Sequence, residues 1–122
     1  MKLTPTAREG AHLVLGYAPG EVRLADRRIT TPALVSAEAV SDWPAAAVDT
    51  LNEASLAPLI ALAPELVLLA TGSRQRFPPP ALLGLLYARG IGCEVMATDA
   101  ACRTYNVLVA EDRRVVLALL FD

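Results

Sequence analysis

Polar and apolar residues first alternate with a period of two. Glu21-Val22-Arg23-Leu24 puts Val22 and Leu24 on one face and both charges on the other, the pattern of a half-buried strand. His12 to Tyr17 alternates more loosely, and Ala18-Pro19-Gly20 supplies the turn between them, since proline presets φ and glycine accepts positive φ. Ala25-Asp26 reads as a short turn into a strand from Arg27 to Thr30, completing an antiparallel meander with one buried and one wet face. Thr31-Pro32 breaks that run, and Ala33 to Ser36 predicts one more short strand. Ser36 to Thr50 holds Trp43-Pro44 but no steady period, so a loop with a short turn of helix is expected there.

From Leu51 the period lengthens. Ser55 is the expected N-cap of a helix carrying Leu56, Leu59, Ile60 and Ala63, which Pro64 ends. Leu66 to Ala70 is a continuous apolar run of strand length, the mark of a strand covered on both faces. Thr71-Gly72-Ser73 closes it and Arg74 to Phe77 is polar loop. Pro78 to Pro80 open a second helix, with Leu82, Leu83, Leu86 and Tyr87, which Gly90 ends. Ile91 to Met96 predicts a second buried strand. Thr98 is expected to cap a third helix reaching about Ala110, with Ala101, Tyr105, Leu108 and Val109 as its stripe; Arg113 or Arg114 opens a last strand ending at Phe121.

The order is strands first, then α-β-α-β-α-β. Crossover helices call for parallel neighbours, so the expected class is α/β: one three-layer domain over residues 1–122, built on a central mixed, largely parallel sheet. The meander must then join one edge of that sheet or pack as its own layer. An exposed meander edge allows pairing across a two-fold axis into a homo-oligomer, although Glu21, Arg23, Arg27 and Arg28 are charges of the kind that guard edges.

Composition narrows the function. The 122 residues are 54% hydrophobic with a net charge of -2, which excludes intrinsic disorder. With 11 Lys+Arg against 13 Asp+Glu, the chain is not a basic nucleic-acid binder. Its apolar stretches are too short or broken to span a bilayer. Met1 to Gly10 has no apolar export region and no Arg-rich amphipathic stretch, so a cytoplasmic location is expected. Cys93 and Cys102 form no Cys-x-x-Cys pair and suit a reducing compartment as two buried thiols. With one His and two Cys, no metal site is expected, and no cofactor is implied.

Candidate chemistry gathers at the carboxyl ends of the parallel strands, where ligands sit in open α/β sheets. Gly72 permits close approach, Ser73 and Thr98 bring hydroxyls, Arg74 and Arg103 bring positive charge, and the helix opening at Thr98-Asp99 offers N–H groups, an arrangement suited to a small anion. The same residue types are what turns and caps use anyway. No Gly-x-Gly-x-x-Gly or Walker-type motif supports a nucleotide, and no Gly-x-Ser-x-Gly elbow recruits His12. Glu94, inside a strand read as buried, must emerge locally or meet a cation, Arg103 and Arg113 being the candidates. Tyr105 falls on an apolar stripe and its hydroxyl needs a partner, while Asn106 points elsewhere toward a neighbouring loop; both read as residues that hold the fold.

The stretches Gly90-Ile91-Gly92-Cys93-Glu94-Val95-Met96, Ala100 to Leu108 and Glu111-Asp112-Arg113-Arg114-Val115 resemble one small α/β domain family of unknown function. Trp43-Pro44 and Pro64 to Leu69 running into Thr71-Gly72 agree with it. That family is shared by bacterial and archaeal proteins, a mitochondrial assembly factor for respiratory complex I and an adipogenesis-associated mammalian protein. The family tends to Gly-Thr-Gly where this chain has Ala70-Thr71-Gly72, and to Glu-Gly-Arg where it has Glu111-Asp112-Arg113. The resemblance implies a three-layer fold and no established enzymatic activity, with protein partners among respiratory-complex or membrane-assembly subunits. The expected function is therefore a non-enzymatic assembly-type protein, and the alternative is a small anion-binding protein or enzyme using the rim.

Overall fold

The computed structural model describes residues 10–45 and 47–122. Met1 to Glu9, on which the reading of an export address rests, lie outside them. Strands β1 (Gly16–Ala18), β2 (Glu21–Arg23) and β3 (Arg28–Ile29) form an antiparallel sheet in that order. Ala18 faces Glu21, so Pro19-Gly20 is the whole loop, with Gly20 at φ 76°. Proline followed by a positive-φ glycine is the type II pattern.

The rest builds one five-stranded sheet. In chain order come β4 (Ala33–Val35), β5 (Val40–Asp42), a 3-10 turn (Val48–Thr50), α1 (Glu53–Ala61) and β6 (Leu66–Ala70). They are followed by α2 (Pro80–Ala88), β7 (Gly92–Met96), α3 (Thr98–Ala110) and β8 (Val115–Leu119). The strand order is β5-β4-β8-β6-β7, with β8 and β7 parallel to β6, and β4 antiparallel to both β8 and β5. This is the α/β class with a central mixed sheet that the residue pattern predicts. The meander takes the option of a separate layer.

Side-chain alternation sorts the core into two faces. Val67 and Leu69 of β6, with Val116 and Ala118 of β8, pack against Leu56 and Leu59 of α1 and Leu82 and Leu86 of α2. Leu68 and Ala70, with Val115, Leu117 and Leu119, pack against Val22, Leu24 and Ile29 of the small sheet and Ala101, Tyr105 and Val109 of α3. All five residues of β8 are buried, as a central strand covered on both sides requires.

Four local expectations need correction. Val40 to Asp42 is a strand, not loop: it carries one apolar residue, so no periodicity announces it, and pairing with β4 creates it. The N-cap of α1 is Asn52, whose Oδ1 accepts from the Ser55 N–H at 3.1 Å while Ser55 Oγ accepts from the Asn52 N–H at 3.2 Å. Ser55 is thus the third residue of a capping box rather than the cap. Ala97, not Thr98, precedes α3 as its cap residue, and Thr98 is the first helical residue. Finally, β7 lies at the edge of the sheet: Cys93 and Val95 are buried but Glu94 is exposed, so the strand is not covered on both faces.

That edge is guarded. Gly92 donates to the Glu65 carbonyl and Met96 accepts from the Thr71 N–H, both toward β6. By alternation the carbonyls of Cys93 and Val95 face outward, where Tyr87 Oη donates to the first (3.3 Å) and Gln75 Nε2 to the second (2.9 Å). Side chains that occupy an edge's acceptors discourage a second strand from pairing there.

Candidate functional site

The sheet's parallel register brings three strand ends together. Ala70 aligns with Met96 and Leu119, and Leu120 donates to the Ala70 carbonyl at 2.9 Å, which carries Phe121 and Asp122 to the loop after β6. Gly72, Ser73, Thr98 and Asp99 therefore share one cavity of about 330 Å³ with Phe121 and Asp122, and the Tyr17–Gly20 hairpin closes its side. Arg74 and Arg103 are not in its lining.

The polar groups of the rim satisfy one another. Gly72 donates its N–H to Thr98 Oγ1 (3.0 Å), and Thr98 donates its own N–H to the Gly72 carbonyl (2.9 Å). Thr71 Oγ1 donates to the Arg74 carbonyl (2.6 Å) and accepts from the Arg76 N–H (3.0 Å). Both the N–H and the hydroxyl of Ser73 donate to Asp122 Oδ2. The Ala100 N–H is met by Asp99 Oδ1 at 2.8 Å. Gly72 has φ +93°, and a Cβ there would lie 2.6 Å from the Asp122 carboxyl, so glycine answers both the backbone conformation and the close approach.

These contacts change the electrostatics expected of the rim. The two Ser73 donors hold the Asp122 carboxyl below its ordinary value, with Arg74 adding a smaller pull. The cavity thus presents the carboxylates of Asp99 and Asp122 and no arginine. An incoming anion would meet two negative groups and would have to displace Asp122 from Ser73. Asp122, Tyr17 and Phe121 were not foreseen from the residue pattern, because only strand register and the packing of the hairpin bring them here.

The remaining polar candidates are bonded elsewhere. Arg103 donates to Tyr17 Oη (2.9 Å) and lies 3.7 Å from Asp99, one helical turn away. Arg113 meets Glu65 at 3.0 Å rather than Glu94, and the Arg114 N–H donates to the same Glu65 oxygen. Arg113 and then the Arg114 N–H hold the Glu65 carboxyl low. Tyr105 is fully buried and donates to the His12 carbonyl at 2.7 Å. Asn106 accepts from the Val14 N–H (2.9 Å) and donates to the Val14 carbonyl (2.8 Å). Adjacent residues of α3 thus tie down the segment leading into β1.

Neither cysteine is prepared for nucleophilic work. Burial, then the Glu94 charge, pushes the Cys93 thiol up to about 11; burial, then Asp99, pushes Cys102 to about 12 against a smaller opposing pull from Arg103. Iodoacetamide at about pH 8 is therefore expected to label these thiols only as fast as the native protein opens, and rapidly in urea. Unfolded thiols ionise near 9.0, so their contribution to folding is complete below that pH. It is lost as pH rises from there toward about 11 and 12, and the melting temperature is expected to fall through that window. Native labelling as fast as in urea would overturn both expectations. Among the described residues, no group of three or more His, Cys, Asp or Glu is placed to hold a metal ion.

A mixed sheet with two helices on one face and a helix plus a small antiparallel sheet on the other, its rim bonded to itself, defines one class of small α/β protein. Residues 14–120 match the family described as protein of unknown function (DUF498/DUF598), and the chain belongs to that family. The resemblance read between Gly90 and Val115 is the same relationship. Among solved structures, the chain is similar to the crystal structure of a Bordetella parapertussis protein. The TM-score is 0.86 and the identity 37%, covering 94% of this chain and 99% of that one. It is 33% identical over 113 residues to the Drosophila melanogaster NADH dehydrogenase (ubiquinone) 1 alpha subcomplex assembly factor 3, covering 88% of this chain and 58% of that protein. It is 35% identical over 68 residues to a Francisella tularensis subsp. holarctica protein named 13 kDa major membrane protein, covering 56% and 55%. The chain thus matches little more than half the length of these two curated relatives.

Proposed function

We propose that the protein is a non-catalytic, assembly-type binding protein whose partners are protein subunits of a membrane-assembled complex, respiratory NADH dehydrogenase first among them. One observation carries the reading. Around the rim, Ser73 bonds to Asp122, Gly72 to Thr98 and Thr71 to the backbone of Arg74 and Arg76, and both thiols are held protonated. The chemistry-bearing side chains serve architecture, so contact rather than turnover is what the molecule offers. The assembly-factor relative supports the class of partner. Two buried free thiols suit work in the reducing cytoplasm.

The test is crosslinking and capture of the tagged protein at native expression in its own cell. Stoichiometric recovery of NADH dehydrogenase subunits is expected; recovery of the protein alone would refute the reading. A second reading, a small-ligand protein, draws on the cavity of about 330 Å³. It requires saturable binding of phosphate, a carboxylate or a nucleotide that responds to replacement of Ser73 or Asp122.

A further inference from the structure

Helices α1 and α2 differ from α3 in a way the core does not require. The exposed side of α3 carries Asp99 and Arg103 as well as the apolar Val107, so that helix shows charge to solvent. Positions 54–64 and 77–88 contain no Asp, Glu, Lys or Arg at all. Leu56, Leu59, Leu82 and Leu86 fill the core, yet the outer positions are apolar too. Phe77 is 66% exposed and Leu85 37%, whereas the exposed Tyr87 lies on the other flank of α2, with its hydroxyl on the Cys93 carbonyl. A helix apolar all round normally lies inside a protein or in a membrane boundary, and a contiguous exposed apolar face marks an interaction site.

Charge says what covers it. The chain neighbours of α2 are Arg74 and Arg76 on one side and Arg89 at its C-terminal end, all exposed. Asp122 is felt by Arg74 and offsets part of its charge, which leaves Arg76 and Arg89 as the principal cations. Glu94 is on the opposite face, since its neighbours Cys93 and Val95 point into the core beneath α2. On the helix layer, Glu53 opens α1 and Glu65 is engaged by Arg113. The α2 side therefore has an apolar centre and a basic border.

We propose that this face docks on an anionic membrane surface, with Phe77 and Leu85 entering the headgroup boundary and Arg76 and Arg89 among lipid phosphates. Apolar side chains beside arginines are the make-up of an interfacial contact, and basic groups near anionic lipids add attraction that falls off within a Debye length. No helix among the described residues is long and apolar enough to cross a bilayer, so the contact lies on the surface. A second copy is a poorer occupant, because two-fold pairing about α2 would bring like arginines together. The inference stands apart from the proposed protein partners.

The experiment is co-sedimentation of the full chain with phosphatidylcholine vesicles, with and without phosphatidylglycerol. Binding is expected to require phosphatidylglycerol and to weaken with added salt. The Phe77→Ser/Leu85→Ser variant should lose it at an unchanged melting temperature, and Arg76→Gln/Arg89→Gln should weaken it about tenfold or more. Absence of binding, equal binding to both vesicles, or wild-type binding by Phe77→Ser/Leu85→Ser would overturn the proposal. So would a lipid-free dimer that Phe77→Ser/Leu85→Ser converts to monomer, which would make the face a self-interface. Because no protein partner is present, failure here leaves the capture experiment to judge the proposed function separately.

Discussion

Asn106→Ala is expected to destabilise the protein by about 2–4 kcal/mol, counting roughly 1–2 for each partly buried backbone group left unpaired. Asn106 is the partner of both the N–H and the carbonyl of Val14, at 2.9 and 2.8 Å, so its amide acts as a neighbouring strand would. Val14 sits in the core cluster that joins the small sheet to α3. Losing the clamp should loosen that layer before the central sheet, and faster amide exchange across β1 to β3 than across β6 and β8 would report it. Asn106→Asp provides a sharper comparison. It can still accept from the Val14 N–H, but at neutral pH its second oxygen faces the Val14 carbonyl as an acceptor against an acceptor. It should therefore be nearly as damaging at neutral pH and recover partly in acid, when one oxygen can donate. A urea-unfolding loss below about 0.5 kcal/mol for Asn106→Ala would mean that water replaces the amide.

Trp43→Ala should cost about 3–5 kcal/mol, the range for emptying a large aromatic site in a core. Trp43 is 3% exposed and belongs to the cluster between the sheet and α1 and α2. Its Nε1–H donates to the Ser55 carbonyl at 2.9 Å, and its backbone N–H donates to the Pro32 carbonyl. One residue thus anchors the β4–β5 hairpin to the start of α1. Trp43→Phe separates the two contributions: it keeps most of the ring but loses the Nε1–H bond to the Ser55 carbonyl, which retains its place in the helix, for about 1 kcal/mol. Equal losses for the two variants, read from the same urea transitions, would show that the hydrogen bond and not the packing dominates.

Where residues pack locally, their pattern was enough. Leu66 to Ala70 could be read as a strand covered on both faces because five consecutive apolar residues have no other way to avoid water. The three prolines before α2, and Gly90 after it, marked its ends because proline lacks an N–H and fixes φ while glycine accepts φ 75°. Three features depended on distant partners and were not readable. Val40-Ser41-Asp42 is a strand only because β4 lies beside it. Ile91 to Met96 resembles an inner strand in composition, yet the sheet order places β7 at the edge and leaves Glu94 in solvent. Asp122 reaches Ser73 from forty-nine residues away.

The sequence by itself determined the α/β class, the order of elements and the family, because hydrophobic period, turn chemistry and short motifs are properties of neighbouring residues. Tertiary structure alone decided which strand became an edge and which polar groups met at the rim. It also decided that the cavity there includes the carboxylates of Asp99 and Asp122 and no arginine. Those outcomes depend on strand register and layer packing, which bring together groups from opposite ends of the chain and set their charge and exposure only once the sheet is complete.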